Sequence, residues 1–538
     1  MPEFCYADVY EAVAQAIPDA PCQIQSERVV SWGDFDRRAN ALARDMLDAG
    51  LARQSKVAAY LYNCPEYVET YVAAFKAGLA PLNTNFRYGP EELRYLWDDA
   101  DAEAIVFHTG FAETVERVRG SLPRVKRWYA VDDGAGVPDW ATSYAEVAEP
   151  GAGRVAAPWG RSGDDLLLLY TGGTTGLPKG VMWRQDDLFK ALGQGGHWVY
   201  GVEPLESADR AGSRLDGPGP TIIPACPLMH GTGVMNALLV LAMGGSNVLL
   251  PGRRFDPGEL WRTAAERGVF SIALVGDAFA RPLLRELEAN PGVYDLSRLR
   301  LIVSSGVMWS EPVKRGLLER LHSDVTLFDA YGSSEAIGLG ASLAKRDKTE
   351  STGSFVSGEG VAVFADDGRR LEPGSGEAGR VAIPGHLPLG YYKDPDKTAR
   401  TFVEHAGVRY SMPGDYARIR ADGSLELLGR GSVCINTGGE KVFPEEVEEA
   451  LKRHPGIVDA ACVGVPDERF GEAVCALVEA SEPGAEIDPA EAAEFVKLSL
   501  AGYKAPRLLW TLDTLGRAPN GKLDYAGLRA RAREHFGR

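Results

Sequence analysis

The sequence predicts a two-domain α/β protein, in which a large N-terminal domain of sheets covered by helices is followed by a small α+β domain. The chain has 538 residues, which is more than one hydrophobic core usually serves. Helical and strand-like spacings of apolar residues alternate over residues 31–107, as in a mostly parallel sheet covered by helices. A new pattern of helices and strands begins after Gly429, so we expect domains at residues 1–430 and 431–538.

Composition and charge exclude several classes of protein. The net charge is −17, from 58 basic and 75 acidic residues, which argues against nucleic acid or an anionic membrane as the main partner. Seven cysteines without a C-x-x-C pair indicate free thiols in a reducing cytoplasm. The first twenty residues lack a basic segment followed by an apolar core, so we expect no secretory signal. No charge-free apolar run reaches about 18 residues, so we expect no integral membrane segment. The oligomeric state stays open, a homodimer included.

The elements of the first domain follow from this spacing in order. Residues 31–51 predict a helix that ends near Gly50, and residues 57–63 predict a strand. A helix and short strand over 64–82, a helix over 90–99 and a strand over 104–107 continue the alternation. Gly, Ala and Pro dominate residues 130–164, which we interpret as a connecting loop, and residues 201–220 read as an exposed excursion.

The stretch LLLLYTGGTTGLPKG, residues 166–180, is an apolar strand that runs into a loop of glycines, hydroxyls and one lysine. Glycines free the backbone N–H groups to face an anion, threonines add donors, and Lys179 adds a mobile positive charge, so the loop suits phosphate. The alternative is a flexible surface turn. The stretch is not a Walker A loop, because Gly180 follows the lysine where serine or threonine is required.

Further candidates follow predicted strands. His230 comes after the strand of TIIPACPLMHGTG, although a lone histidine is usually structural. In FDAYGSSE, Tyr331 offers a ring face for adenine, Ser334 a hydroxyl for phosphate, and Glu335 a hard oxygen ligand for Mg2+. This segment could also be an ordinary surface loop.

Ligand-binding residues are also expected where residues 271–284 and 299–310 change from strand to loop. Near the C-terminus, the run GRAPNGKL presents Lys522 in a turn rich in proline and glycine. It is not a Walker A loop either, because Leu523 stands where serine or threonine is required.

Taken together, these motifs resemble the adenylate-forming acyl-CoA synthetases of the ANL superfamily, in the family order over nearly the whole chain. The stretches YGSSE and GRGSVCINTGGEKVFPEEVEE look most like actinobacterial ligases for long or bulky lipid carboxylates, including sterol side chains. The resemblance implies the ANL fold with a mobile small domain, and ATP, Mg2+ and coenzyme A as cofactors. The implied reaction forms an acyl-AMP from a small-molecule carboxylic acid and then transfers the acyl group to coenzyme A.

The resemblance also implies roles for individual residues. Lys522, His230 and Glu335 would be catalytic, with Mg2+ on Glu335, and Ser432 would be the hinge. The implied nucleotide contacts are Thr171, Gly172, Gly173, Thr174, Thr175, Gly176, Lys179, Gly306, Asp329, Ala330, Tyr331, Gly332, Ser333, Ser334, Asp415, Arg430, Gly438 and Gly439. The implied acyl pocket is lined by Val234, Asp277, Ser304 and Ser305. Four positions are compared with the usual family residues: Gly172 replaces a serine, Ser432 replaces an aspartate or lysine, Asn436 lies where some relatives carry a second lysine and others an asparagine, and Asp524 lies where a basic residue is common.

Two other functions remain open from the sequence. The acyl-AMP could pass to an amine or to a carrier-protein thiol, or the enzyme could specialise in one half-reaction. Alternatively, the protein could bind nucleotide without catalysis, which the set of Lys179, Glu335, Asp415, Arg430 and Lys522 argues against.

Overall fold

The first third of the chain alternates strands and helices, as its apolar spacing predicts. The computed structural model describes residues 3–171, 178–348, 351–437, 440–467, 470–518 and 521–537. The elements up to residue 171 are α1 (Tyr6–Ala16), β1 (Pro21–Gln25), β2 (Arg28–Ser31), α2 (Trp32–Asp48), β3 (Lys56–Tyr60), α3 (Pro65–Lys76), β4 (Ala80–Asn83), α4 (Pro90–Asp99), β5 (Ala102–His108), α5 (Ala112–Arg119), β6 (Arg127–Val131), β7 (Thr142–Ser143), α6 (Tyr144–Ala148) and β8 (Leu166–Thr171). Strands β8, β4, β3, β5, β6 and β7 are parallel neighbours, which confirms the predicted parallel sheet.

The middle of the chain repeats this alternation and builds a second parallel sheet. Its elements are β9 (Lys179–Arg184), α7 (Gln185–Ala191), α8 (Arg210–Ser213), β10 (Thr221–Pro224), α9 (Gly231–Ala242), β11 (Ser246–Val248), α10 (Pro257–Glu266), β12 (Ser271–Leu274), α11 (Gly276–Ala289), β13 (Leu301–Ser305), α12 (Glu311–Arg320), β14 (Thr326–Ser333) and β15 (Ala336–Ala344). Strands β11, β10, β12, β13 and β14 are parallel, so their carboxyl ends share one edge.

Antiparallel strands extend both sheets. They belong to a segment with β16 (Ser354–Ser357), β17 (Ala362–Phe364), β18 (Ala378–Ala382), β19 (Gly390–Tyr391), α13 (Pro395–Thr401), β20 (Phe402–His405), β21 (Val408–Ser411), β22 (Asp415–Ile419) and β23 (Leu425–Arg430). The order of the larger sheet is β17-β18-β22-β23-β16-β15-β14-β13-β12-β10-β11-β1-β2, and that of the smaller is β19-β9-β8-β4-β3-β5-β6-β7. Strands β20 and β21 form a separate hairpin.

A small α+β unit follows a 3-10 turn at Gly431–Val433. Its elements are β24 (Ile435–Thr437), β25 (Glu440–Val442), α14 (Pro444–Leu451), β26 (Ile457–Asp467), β27 (Gly471–Ala480), α15 (Pro489–Lys497), β28 (Leu508–Thr511) and α16 (Tyr525–Phe536). The large and small domains agree with the predicted fold class, while the boundary at residues 430 and 431 stays a prediction. No helix within the described ranges is long and apolar enough to cross a membrane.

Helix α9 belongs to the largest apolar core of the large domain, together with residues of α1, α2 and α3. It is apolar on nearly every face, as expected of a helix with protein on all sides. Tyr10 of α1 donates from Oη to the carbonyl of Leu238 at 2.9 Å. Each large apolar side chain buried in this way contributes about 1.5–3 kcal/mol relative to exposure. The amino end of α9 is therefore held firmly beside the edge where the strands of the larger sheet end.

Two segments interpreted as loops contain short elements, so those interpretations are wrong in part. Residues 142–148 form β7 and α6, because buried Tyr144 donates to Glu69 at 2.9 Å and Ser143 caps the helix. Residues 210–213 form α8 against α1, with Ala211 fully buried. Both elements depend on contacts with distant parts of the chain, which local composition does not encode.

Candidate active site

A cavity of about 1240 Å³ opens at the carboxyl edge of the larger sheet. Parallel strands place the residues that follow them at a common edge, where ligands bind in open α/β sheets. The loops after β10, β12 and β13 contribute His230, Val275 and Gly306 to the lining, and β14 contributes Tyr331. Lys522 of the small domain lines the same cavity. Motifs separated by almost 300 residues in the sequence therefore meet in one space.

His230 lies at the amino end of α9, where its backbone N–H donates to the carbonyl of Pro227 at 3.0 Å. Burial, together with the positive charges of Lys522 and Arg87, lowers the pKa of His230 to about 4. The imidazole is therefore neutral at physiological pH, so one ring nitrogen donates a hydrogen bond and the other accepts one.

Asp415 and Arg430 form an ion pair beside the cavity, with Arg430 Nε 3.2 Å from Asp415 Oδ1. Tyr331 donates from Oη to the other oxygen of Asp415 at 3.3 Å, and its ring packs 5.2 Å from that of Phe355. Burial raises the pKa of Asp415, an effect that Arg430 opposes. Tyr331 and Arg430 line the cavity, and Asp415 contacts both of them.

Glu335 is held by an aromatic neighbour that the sequence motifs do not include. Tyr391 donates from Oη to Glu335 Oε1 at 2.7 Å. Trp183 donates from Nε1 to the carbonyl of Ser334 at 2.9 Å, which fixes the preceding residue. No cluster of three metal-ligating side chains occurs within the described ranges.

The predicted nucleotide contacts on β14 are not all placed at the cavity. The cavity is lined on this side by Gly306, Ala330, Tyr331, Gly332, Ser333 and Ser334. Asp329 is instead buried and pairs with Lys314 of α12 at 2.6 Å, so a neighbouring helix holds its carboxylate. The nucleotide contact of Asp329 stays a prediction.

Only the ends of the predicted phosphate loop are within the described residues. Thr171 ends β8 opposite Lys179 at the start of β9, and Thr171 lines the cavity. Lys179 Nζ lies 3.7 Å from Asp394 Oδ2. The predicted contacts that lie outside the described residues are Gly172, Gly173, Thr174, Thr175, Gly176, Gly438 and Gly439.

Lys522 projects from a braced turn of the small domain. Arg517 contacts both oxygens of Asp459, at 2.5 and 2.8 Å, and donates from Nη1 to the carbonyl of Gly521 at 2.9 Å. Desolvation and the positive charge of Arg430 lower the pKa of Lys522. Asp524 caps helix α16 by accepting from the N–H of Gly527.

A carboxylate of the small domain docks where the large domain ends. The backbone N–H of Arg430 donates to Glu445 Oε1 at 3.3 Å. Gly429 has a φ of +127°, and a Cβ atom there would lie 2.0 Å from Glu445 Oε2. Only glycine therefore fits beneath this carboxylate. The 3-10 turn that contains Ser432 follows directly, although the side chain of Ser432 lies outside the described part of the structure.

One of the four residues predicted to line the acyl pocket, Ser305, lines the cavity. Val234 is 2% exposed and packs in the apolar core. Ser304 is fully buried and accepts from the N–H of Gly276 at 2.9 Å, and Asp277 pairs with Arg281 at 2.8 Å. These three side chains face protein, because the register of β13 and the turns of α9 and α11 point them away from the cavity.

The cavity continues into an apolar chamber that the motifs did not predict. Trp198 and Phe328 pack edge-to-face with centroids 5.6 Å apart, and His197 stacks on Trp198 at 5.7 Å. Burial lowers the pKa of His197, so its ring is neutral. Trp198 is nevertheless 62% exposed, which puts it at the mouth of the chamber. Other apolar lining residues are Leu192, Met235, Leu239, Val303, Ala341 and Leu343.

Two asparagines that follow strands of the smaller sheet hold the His230 loop. Asn83 lines the cavity and donates to the carbonyls of Tyr170 and Met229 at 2.8 and 2.6 Å. Asn63 accepts from the N–H of Leu228 at 2.8 Å. Sequence reasoning missed both residues, although a polar amide just after a buried strand was an available signal.

Two parts of the chain match families of known proteins. Residues 10–392 match the AMP-binding enzyme family, and residues 446–522 match the AMP-binding enzyme C-terminal domain. The 3-oxocholest-4-en-26-oate–CoA ligase of Rhodococcus rhodochrous is 40% identical over 528 residues, which cover 96% of this chain and 94% of that protein. The medium-chain acyl-CoA ligase Mig of Mycobacterium avium is 38% identical and matches 98% of each chain.

Solved structures have the same fold. ATP-bound MatB from Rhodopseudomonas palustris superposes with a TM-score of 0.81 at 26% identity, over 98% of this chain and 99% of that one. The anthranilate CoA ligase AuaEII in complex with anthranoyl-AMP superposes with a TM-score of 0.85 at 22% identity, over 100% and 99% of the two chains.

Proposed function

Because the chain belongs to the AMP-binding enzyme family, we propose that it is an ATP-dependent acyl-CoA synthetase that makes acyl-CoA by way of an acyl-AMP. The observation that carries this proposal is one cavity that Lys522, Glu335 and Arg430 line together and that continues into an apolar chamber. Sites for drug-sized ligands usually occupy about 300–1,000 Å³. A cavity of about 1240 Å³ has room for a nucleotide and a sizeable acid side by side.

The nucleotide would occupy the end of the cavity near β14 and β23. Its adenine would lie against Tyr331 and the backbone of Gly306, where the absence of a side chain lets a flat ring approach. The ribose hydroxyls would bind to Asp415 and Arg430, since a carboxylate retains acceptor sites after its contacts with Arg430 and Tyr331. Lys179 and the loop after Thr171 would bind the β- and γ-phosphates.

The residues near Glu335 fit a magnesium ion that arrives with ATP. Mg2+ is usually held by one or two carboxylates plus substrate phosphates. Glu335 supplies one carboxylate oriented by Tyr391, and no further acid cluster accompanies it within the described ranges. When bound, the ion would neutralise charge on the phosphates.

Catalysis would proceed in two steps. A carboxylate oxygen of the acid attacks the α-phosphorus of ATP, the bond to the bridging oxygen breaks, and pyrophosphate leaves. Lys522 would stabilise the negative charge at this centre, and neutral His230 would orient the acid carboxylate without attracting a competing anion. The coenzyme A thiol, having lost its proton to solvent, then attacks the acyl carbonyl, the bond from that carbonyl to the phosphate oxygen breaks, and AMP leaves. A rotation of the small domain about Ser432 would withdraw Lys522 and admit the thiol between the steps.

The acid would be hydrophobic and long or bulky, of the fatty-acyl or sterol side-chain type. Support comes from the apolar chamber beyond His230 with its aromatic mouth at Trp198. Two relatives at 40% identity are named 3-oxocholest-4-en-26-oate–CoA ligase and medium/long-chain-fatty-acid–CoA/3-oxocholest-4-en-26-oate–CoA ligase. The acids in these names are of this kind.

The test is an assay with ATP, Mg2+, coenzyme A and acids of increasing length and bulk. We expect AMP to form only when both the acid and coenzyme A are present, and acyl-CoA to be detected by mass spectrometry. AMP release that coenzyme A does not alter across the whole panel would contradict the proposal. An amine or a carrier-protein thiol in place of coenzyme A tests the alternative acceptors.

A further inference from the structure

Lys397 lies at the phosphate end of the cavity but belongs to none of the sequence motifs. It stands in α13 and lines the cavity together with Glu335. Its Nζ lies 4.1 Å from the centroid of the Tyr391 ring, and Tyr391 Oη donates to Glu335. The ammonium group is therefore next to the carboxylate that we assign to MgATP.

The ammonium group of Lys397 forms no ion pair with any residue that the structure describes. Among the residues that the structure describes, none places a carboxylate oxygen within ion-pair distance of Lys397 Nζ. Asp394, the acid nearest in sequence, accepts from the Lys397 backbone N–H through Oδ1 and faces Lys179 through Oδ2. Burial lowers the pKa of Lys397, and so do Lys179 and Arg430, against the opposite effect of Glu335 and Asp394.

A neighbouring lysine, Lys393, forms the ion pair that Lys397 does not form with any described residue. Lys393 lies four residues earlier on the same segment, is exposed, and pairs with Asp101 at 2.7 Å. Lys397, in contrast, is partly buried, and the contact described for its ammonium group is the Tyr391 ring, which contributes only about 0.5–2 kcal/mol. The arrangement is thus suited to an anion that enters the cavity.

We propose that Lys397 binds the β- and γ-phosphates of ATP and the pyrophosphate that leaves, as a second cation beside Lys179. The inference rests on the proposed function, because it assigns a role within the same site. AMP has neither phosphate, so Lys397 distinguishes ATP and pyrophosphate from AMP. The lysine touches the leaving group and takes no part in binding the ribose or the acid.

The experiment measures dissociation constants of ATP, AMP and pyrophosphate, with Mg2+ and without acid, for the full chain. Lys397→Met should weaken ATP and pyrophosphate by about tenfold or more, because a hydrogen bond between charged groups is lost, and should leave AMP within about twofold. Lys397→Arg should restore most of the affinity, since it keeps the charge. Lys393→Met is the matched control and should match the wild-type protein.

Three results would overturn the proposal. If Lys397→Met binds ATP within about twofold of wild type, Lys397 does not contact the phosphates. If the binding of AMP weakens as much as that of ATP, the substitution disturbs the site as a whole. The third is a Lys397→Arg variant that binds ATP no better than Lys397→Met, which would mean that the positive charge does not bind the phosphates. The outcome is separable from the proposed function, since a protein that binds ATP through Lys397 yet forms no acyl-AMP would contradict only the latter.

Discussion

Asp415 and Arg430 face each other at paired positions of β22 and β23, with Arg430 Nε 3.2 Å from Asp415 Oδ1. Arg430 is the last residue of β23, and the turn that leads to the small domain begins directly after it. The predicted ribose contacts therefore lie directly beside the connection between the domains.

Asp415→Ala should weaken the binding of ATP and AMP alike. Loss of hydrogen bonds to a charged group costs about 1.5–3 kcal/mol, which corresponds to about a ten- to hundredfold rise in both dissociation constants. Isothermal titration with each nucleotide measures this, and pyrophosphate binding, which does not involve ribose, is the control. Unchanged nucleotide affinity would refute the ribose assignment.

Lys522→Ala should separate the two half-reactions. Acyl-AMP formation should fall about 10²- to 10³-fold, because a charged donor at the reacting phosphate is lost. Formation of acyl-CoA from preformed acyl-AMP should survive. The exposed small-domain lysine Lys497, which pairs with Glu494, gives the control variant Lys497→Ala. If both half-reactions fall equally, Lys522 has a structural role instead.

His230 should make the protein less stable in mild acid. In the unfolded chain its pKa is about 6.5, whereas burial, Lys522 and Arg87 lower it to about 4 in the fold. As the pH falls below about 6.5, the unfolded state takes up the proton first. The free energy of unfolding therefore falls by about 2 kcal/mol by pH 4.5. Urea denaturation at pH 7 and 4.5 should show a smaller loss for His230→Gln than for the wild-type protein. Equal losses of unfolding free energy in the two proteins would mean that the His230 imidazole is exposed to water in the folded state.

Trp198→Ala should alter the choice of acid. A long or bulky acid that covers the indole would lose about 1.4 kcal/mol of apolar contact, so its KM should rise about tenfold. A short acid that ends before Trp198 should keep its KM within about twofold. Val293 is 67% exposed and is not among the cavity-lining residues, so Val293→Ala serves as the control. Equal shifts for short and long acids would mean that the chamber does not hold the acyl chain.

Much of the fold could be predicted from the local sequence. The alternation over residues 31–107 became α2 through β5 in the expected order, because burial on both faces of a parallel sheet leaves a strong apolar pattern. Helices α6 and α8 were missed because distant contacts stabilise them, such as the bond from Tyr144 to Glu69, 75 positions away.

The site was predictable where its residues lie within one motif and less so where they support another segment. Tyr331, Glu335, Arg430 and Lys522 do line one cavity. Asn83, in contrast, contacts residues 87 and 146 positions away, a relationship that no local spacing encodes. Asp329 shows a different limit, since its pairing with Lys314 of α12 is a contact between two elements that the motif itself does not encode.

Glu445 accepts a hydrogen bond from the backbone N–H of Arg430, so the protonation state of its carboxylate affects how the small domain docks. Burial and the neighbouring acids Glu448 and Asp415 raise the pKa of Glu445 while it is docked. A rotation of the small domain would return this carboxylate to water, where it ionises at lower pH and releases its proton to the solvent. For the domain rotation proposed above, this linkage means that alkaline conditions favour the undocked arrangement, in which Lys522 leaves the cavity.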